Sequence, residues 1–254
     1  HPGARSISEW MREDAEYAGR SPGAGAHAPE LLRAAGQALG VQLDAAAFAE
    51  RCLQVELNSV SDDPIVHPGS GELLLGGNFY GGATTLALDA MKSAVFGAAS
   101  YLERVLALVC DPRRNGGLPQ DLADPNHAPA QGFRAMRGVV GGLLNDAVML
   151  AAPSGLQAGL GSRDSELASA GTQAARRCLD VLELAESIAA IAALALCQAV
   201  DLRDGRGCHR RSKAIYGAVR QLVPRLQEDR AQDRDITSVL ELFRAGLLPV
   251  GQSA

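Results

Sequence analysis

The sequence is poor in aromatic residues, with five Phe, four Tyr and one Trp in 254 residues. It has no Cys-x-x-Cys pair, and its five cysteines (Cys52, Cys110, Cys178, Cys197, Cys208) are odd in number. A disulfide scaffold or zinc site is therefore not expected, and no other metal either; a reducing, cytoplasmic compartment is expected. There is no excess of basic charge: 24 Lys and Arg stand against 29 Asp and Glu, for a net charge of −5. That argues against a general binder of phosphate backbones, so no nucleic-acid partner is expected. The longest strictly apolar run, Ile188 to Cys197, has ten residues. A bilayer span needs about twenty, so no membrane partner is expected. No basic segment followed by an apolar core opens the chain, and no secretory leader is expected. Beginning at His1, the chain is expected either to lack a few residues or to be a piece of something longer. Gly-x-Gly-x-x-Gly, the phosphate loop, His-Glu-x-x-His and Gly-x-Ser-x-Gly are all missing.

What is present is helix-forming material. Hydrophobic residues make up 47% of the chain, enough for a substantial core. Ala and Leu, which lose little on entering a helix, dominate them. Residues 1–28 mix charge with Gly and Pro and read as a loosely held N-terminal segment. A helix is predicted from Pro29 to about Gly40, a residue that often ends helices. A second, short one is predicted over Asp44–Leu53, with Asp44 as N-cap. Residues 56–82 are crowded with turn formers and read as a long structured loop, with a short strand at Leu73–Leu75. Two long helices follow, Ala83–Cys110 and Asp164–Leu202, about 40 Å and 58 Å long at the α-helical rise. A middle helix is predicted over Gly132–Leu150. Two shorter ones, near 212–227 and 235–245, form a C-terminal extension, 204–254. The long helices are too apolar to be covered by one chain, which predicts an all-α bundle completed by oligomerisation.

The five histidines sit apart, in or beside loops, and read as solvent-exposed. Glu56, Asp62 and Asp63 offer too few ligands for a hard cation, and Asp-Asp-Pro is first a turn. The informative stretches are Glu56-Leu-Asn-Ser-Val-Ser-Asp-Asp-Pro64 and Gly76-Gly-Asn-Phe-Tyr-Gly81. Toward its end the first long helix carries Tyr101-Leu-Glu-Arg104, Gly117-Leu-Pro119 follows it, and the second long helix ends in Gln198-Ala-Val-Asp-Leu-Arg203. In order and spacing these resemble the C-terminal half of the aromatic amino acid lyases: histidine, phenylalanine and tyrosine ammonia-lyases and the related aminomutases. The resemblance covers residues 30–203. It implies a long-helix bundle of the ammonia-lyase type over a core of residues 29–203.

The resemblance also shows what is missing. The family's electrophile, a methylidene-imidazolone, forms from an internal Ala-Ser-Gly, which does not occur here. Pro153-Ser-Gly155 is the nearest sequence, but it matches the loop before the second long helix. The cofactor is therefore expected only in a partner chain carrying Ala-Ser-Gly, with self-association besides, and no catalytic residue is assigned to this chain.

Substrate-binding positions carry over individually. Counting back from Asn58 places the family's carboxylate-binding arginine on Arg33, a role suited to a guanidinium fork. Its tyrosine and first glutamine become Glu30 and His27. Phe79 matches the aromatic that lines the substrate pocket, with Asn78 beside it. The polar position before the second long helix falls on Ser165, flanked by Asp164 and Glu166. The resemblance implies an amino-acid substrate, in the family an aromatic one, that loses a β-proton and ammonia. The departures at His27, Glu30 and Ser165 fit an alternative, a non-catalytic scaffold or regulatory paralogue. A fumarase/aspartase-type lyase is the third reading, although its Gly-Ser-Ser-x-Met-Pro loop is missing.

Overall fold

The computed structural model describes residues 1–12, 29–76, 78–127, 130–155, 169–205, 208 and 210–248. These form α1 (Pro2–Arg12), α2 (Glu30–Arg33), α3 (Ala35–Leu57), a hairpin of β1 (Ile65–Val66) and β2 (Leu73–Leu74), α4 (Gly82–Cys110), α5 (Arg134–Leu150), α6 (Gly171–Asp201), α7 (Arg210–Leu222) and α8 (Asp233–Arg244). The fold is all-α apart from the hairpin, in which Ile65 pairs with Leu74 and Val66 with Leu73.

α4 and α6 form the spine. Near their N-terminal ends Gly171 lies against Thr84 and Thr85. Past their C-terminal ends Arg203 donates to the Asn115 carbonyl (2.6 Å), so the two helices run parallel. α3 runs antiparallel to α4: Gln42 donates to the Ala94 carbonyl (2.9 Å), and the Tyr101 hydroxyl to that of Leu31 (3.1 Å). By length and composition alone α4 would also fit a membrane span. Its apolar surface here meets α3, α5 and α6. The core runs through Leu106, Phe133, Val140, Ile188, Ile191 and Leu194, and continues into Val219, Val223, Val239 and Leu242. The helices of the C-terminal extension thus pack into the same core.

Three expectations need correction. Residues 1–12 of the segment read as loose form α1, which packs on α3; residues 13–28 lie outside the described residues. Gly40 does not end a helix, because α3 runs unbroken from Ala35 to Leu57. Its glycine serves instead where α1 crosses α3. A Cβ on Gly40 would sit 2.2 Å from the Ala4 nitrogen, and one on Gly3 2.0 Å from the Gly40 carbonyl oxygen. Nor does Asp44 cap a new helix; its carboxylate accepts the Gly3 amide (2.8 Å) in the first turn of α1, where N–H groups lack helical partners.

Candidate functional site

The loop expected to carry function joins α3 to α4. It opens where Asn58 and Ser59 turn their side chains back on α3, donating to the carbonyls of Gln54 (2.7 Å) and Val55 (2.6 Å). Ser61 then donates to the Asn78 carbonyl (2.5 Å), which ties the Asn-Ser-Val-Ser segment to the second motif. Gly81 has φ +62 and hands the chain into α4 in a left-handed conformation that glycine adopts without strain. Gly82 lets the Tyr80 ring lie flat across it, since a Cβ there would fall 2.2 Å from a ring carbon. Phe79 is 50% exposed and Asn78 exposed. Asn78 therefore has a visible loop-holding role through its carbonyl, and Phe79 offers an open apolar surface.

The start of α6 lies beside this loop. The Ser169 hydroxyl is 3.5 Å from where a Cβ on Gly81 would be, and Thr85 donates to the Gly81 carbonyl (3.4 Å). Ser165, on the segment leading to that helix, lies outside the described residues, as does His27.

Arg33 is elsewhere. It closes the single turn of α2, exposed, two residues after Leu31, whose carbonyl holds Tyr101. Tyr101 is nineteen residues along α4 from Gly82, about 28 Å at the helical rise. One copy of the chain thus places Arg33 and Phe79 toward opposite ends of α4.

A polar cluster that sequence reading did not single out sits between α4 and the turn after α5. Lys92 is fully buried, and its ammonium donates to the Ala152 carbonyl (2.9 Å), the Ser154 hydroxyl (2.7 Å) and Asp89 (2.7 Å). Asp89 in turn accepts the amides of Ser154 (2.9 Å) and Gly155 (3.1 Å). Burial opposes ionisation of Asp89, but the Lys92 hydrogen bond and those two amides outweigh it and hold the carboxyl below its usual value. The visible signal was a Lys and an Asp three residues apart in a helix whose only other charges are Glu103 and Arg104. All three ammonium protons are engaged, so Lys92 is a cationic clamp, not a base. Ser154 is wholly buried in that clamp. The turn nearest in sequence to Ala-Ser-Gly thus serves as a latch between α4 and the end of α5.

At the other end, the Gln198-to-Arg203 motif works as a set of clamps. Gln198, fully buried, donates to the Leu226 carbonyl (2.8 Å) and accepts the Leu226 amide (3.0 Å). Asp201 accepts the Tyr216 hydroxyl (2.6 Å) and the Arg220 guanidinium (2.6 Å), and raises the Tyr216 pKa. Arg203 holds the turn whose Asn115 side chain in turn accepts the Leu118 amide (2.9 Å). Among the described residues no cluster of three or more His, Cys, Asp or Glu could hold a metal ion.

Comparison with known proteins accounts for these motifs. The profile of the family described as aromatic amino acid lyase matches residues 1–221. The tyrosine ammonia-lyase of Cereibacter sphaeroides is 35% identical over 239 residues, 92% of this chain and 46% of that one. The histidine ammonia-lyase of Natranaerobius thermophilus is 31% identical over 252 residues, 98% of this chain and 50% of its own. Among solved structures, the tyrosine aminomutase of Streptomyces globisporus superposes with a TM-score of 0.81 at 29% identity, covering 96% of this chain and 47% of that one. The chain spans about half the length of the curated relatives it matches. It belongs to the aromatic amino acid lyase family.

Proposed function

We propose that the chain is one subunit, or the C-terminal half, of an ammonia-lyase or aminomutase-like assembly that acts on an amino acid. The observation that carries this reading is the separation of Arg33 from Phe79 along α4. Within one copy they cannot touch one substrate. If a second copy lay antiparallel along the first, its Arg33 end would come beside this chain's Phe79 end. The open apolar surface at the Phe79 end, with Leu75 82% and Leu86 63% exposed, suits such packing. The names of the relatives, histidine and tyrosine ammonia-lyases and a tyrosine aminomutase, support an amino-acid substrate with a ring.

In that assembly the electrophile would belong to a chain carrying Ala-Ser-Gly. This chain's own share would be recognition. The Arg33 guanidinium would grip the substrate carboxylate in two-pronged fashion, and Phe79 would wall off the apolar side chain. Asn78 would shape the loop that carries Phe79. Ser165 would stand at the polar position facing the substrate. The test is co-expression with an Ala-Ser-Gly-bearing family chain, followed by light scattering and by ammonia release from aromatic amino acids. Stable co-assembly with turnover is expected, and the chain alone should keep its unmodified mass and release no ammonia. Co-assembly without any contribution of Arg33 to turnover would favour the second reading, a scaffold paralogue, for which the substitutions at Glu30 and His27 speak.

A further inference from the structure

At the end of α4 far from the Gly76–Gly81 loop, we infer a binding site for a small carboxylate with an apolar body. It is a cavity of about 390 Å³ between α4, α6 and α7, within the range of small-molecule sites. Val109, Leu118, Ala193, Leu196 and Ile215 supply its wall.

Two features keep it from collapsing. The α6 side contributes Ala193 and Ala199, which are short and leave the space. Across from them, α7 is braced at a set distance, because Tyr216 and Arg220 both bond to Asp201. Arg203, bonded to the Asn115 carbonyl, frames the mouth. A gap held open by hydrogen bonds at its rim is preorganised for a ligand, which lowers the cost of binding.

The sign of the rim selects the ligand. Arg203 lines the cavity, and α7 begins at its edge with Arg210, Arg211, Ser212 and Lys213. Ser212 itself lines the cavity, and the N-terminal end of a helix adds a positive field. Of the nearby acids, Asp201 already carries Arg220, and Asp204, next to Arg203 in the chain, is itself engaged in a contact. A carboxylate therefore meets cations at the mouth, while its apolar body replaces water against the wall. The positive charge at Lys213 reaches Cys208, which also lines the cavity and whose thiol is otherwise pushed up by burial.

The site is testable on the purified chain with 3-phenylpropanoate, its neutral amide and the matching phenylpropylammonium, titrated by ligand-observed NMR. The carboxylate should bind at millimolar concentration or below, with the amide about tenfold weaker and the ammonium weaker still. Ala193→Phe, which fills the cavity, should abolish binding. Ser212→Glu, on the exposed side of α7, should cost the carboxylate about tenfold and leave the amide unchanged. The carboxylate should slow alkylation of Cys208 and not that of Cys52, which lies on α3. Arg33→Gln should bind as the parent does, which separates this site from the proposed substrate contacts. No binding, equal binding of carboxylate and amide, or binding that survives Ala193→Phe without protecting Cys208 would overturn the assignment. Should Ala193→Phe fail to fold, Ser212→Glu and the protection of Cys208 decide the matter.

Discussion

The two ends of the α4–α6 pair are finished in different ways. At the C-terminal end the chain's own side chains clamp its turns: Gln198 grips Leu226, Asp201 grips Tyr216 and Arg220, and Arg203 grips the Asn115 turn. At the N-terminal end the Lys92–Asp89 latch holds the turn at 152–155, but the surface beyond it is left apolar and open, with Leu75, Phe79, Tyr80 and Leu86 all exposed. A clamped end and an open apolar end in one helix pair are what the proposed assembly needs: the first would hold the fold and the second would meet another chain. Breaking one end should therefore cost folding, and breaking the other should cost association.

The largest effect is expected at Lys92. Lys92→Met leaves Asp89 without its cation and takes the ammonium donor from the Ala152 carbonyl and the Ser154 hydroxyl; removing one partner of a buried pair costs about 3–5 kcal/mol. Thermal unfolding should show a fall on the order of 10 °C. Replacing Lys92 and Asp89 together by apolar residues should recover part of it. The pair also has an acid signature. The Asp89 carboxyl is held below its ordinary value in the folded chain, so the unfolded chain takes up the proton first. The latch thus contributes fully above the usual carboxylate range and is lost as pH falls below about 4, through the depressed value. Asp89→Asn should flatten stability against pH in that window, measured by urea unfolding at successive pH values. A slope unchanged from the parent would remove Asp89 from the account.

Next comes Gln198. Gln198→Leu keeps the volume but strands the Leu226 amide and carbonyl in the interior, at about 1–3 kcal/mol for each unsatisfied group. A loss of about 2–4 kcal/mol in chemical unfolding is expected. Hydrogen exchange should speed at Leu226 and in α7 before it speeds in α4. Uniform acceleration throughout the bundle would show that the motif does not specifically hold the C-terminal segment.

These two sites also show what the sequence could and could not reveal. α4 was readable almost to the residue because its limits are written locally. Gly81 and Gly82 precede a long apolar run, and Asp111-Pro112 follows it. The middle helix and the two C-terminal helices were also placed within a few residues. Gly40 was misread because a glycine that ends a helix and one that admits a crossing helix look alike until α1 is in place. The Lys92 latch joins residues 60 and 62 positions apart, a pairing that local pattern does not carry. The candidate site was legible only as motifs. Nothing in their order revealed that Arg33 and Phe79 stand at different heights on α4.

That separation gives the third prediction. In a co-assembled, active complex Arg33→Lys keeps the charge and loses the two-pronged geometry. A lost charged hydrogen bond of about 1.5–3 kcal/mol corresponds to a fall of roughly ten- to hundredfold in kcat/KM. Stability should move by less than about 0.5 kcal/mol, as for other exposed positions. Turnover equal to the parent's would make Arg33 an ordinary helix arginine and would favour the scaffold reading.

The smallest effect on folding, and the sharpest test of the open end, is expected from Leu86→Ser. Leu86 is 63% exposed on the second turn of α4, beyond the loop that carries Phe79. In the isolated chain it has little to lose, and unfolding should shift by under about 0.5 kcal/mol. If α4 meets another chain there, the buried leucine contributes about 1.5–3 kcal/mol to association. Replacing it should weaken self-association or co-assembly by about tenfold or more, read by light scattering over a concentration series. Leu222, 53% exposed at the end of α7, is the matched control on the finished side. Leu222→Ser should leave assembly unchanged. If both serine variants assemble as the parent does, the exposed apolar surface at the loop end is not an interface, and the contrast between the two ends has another cause.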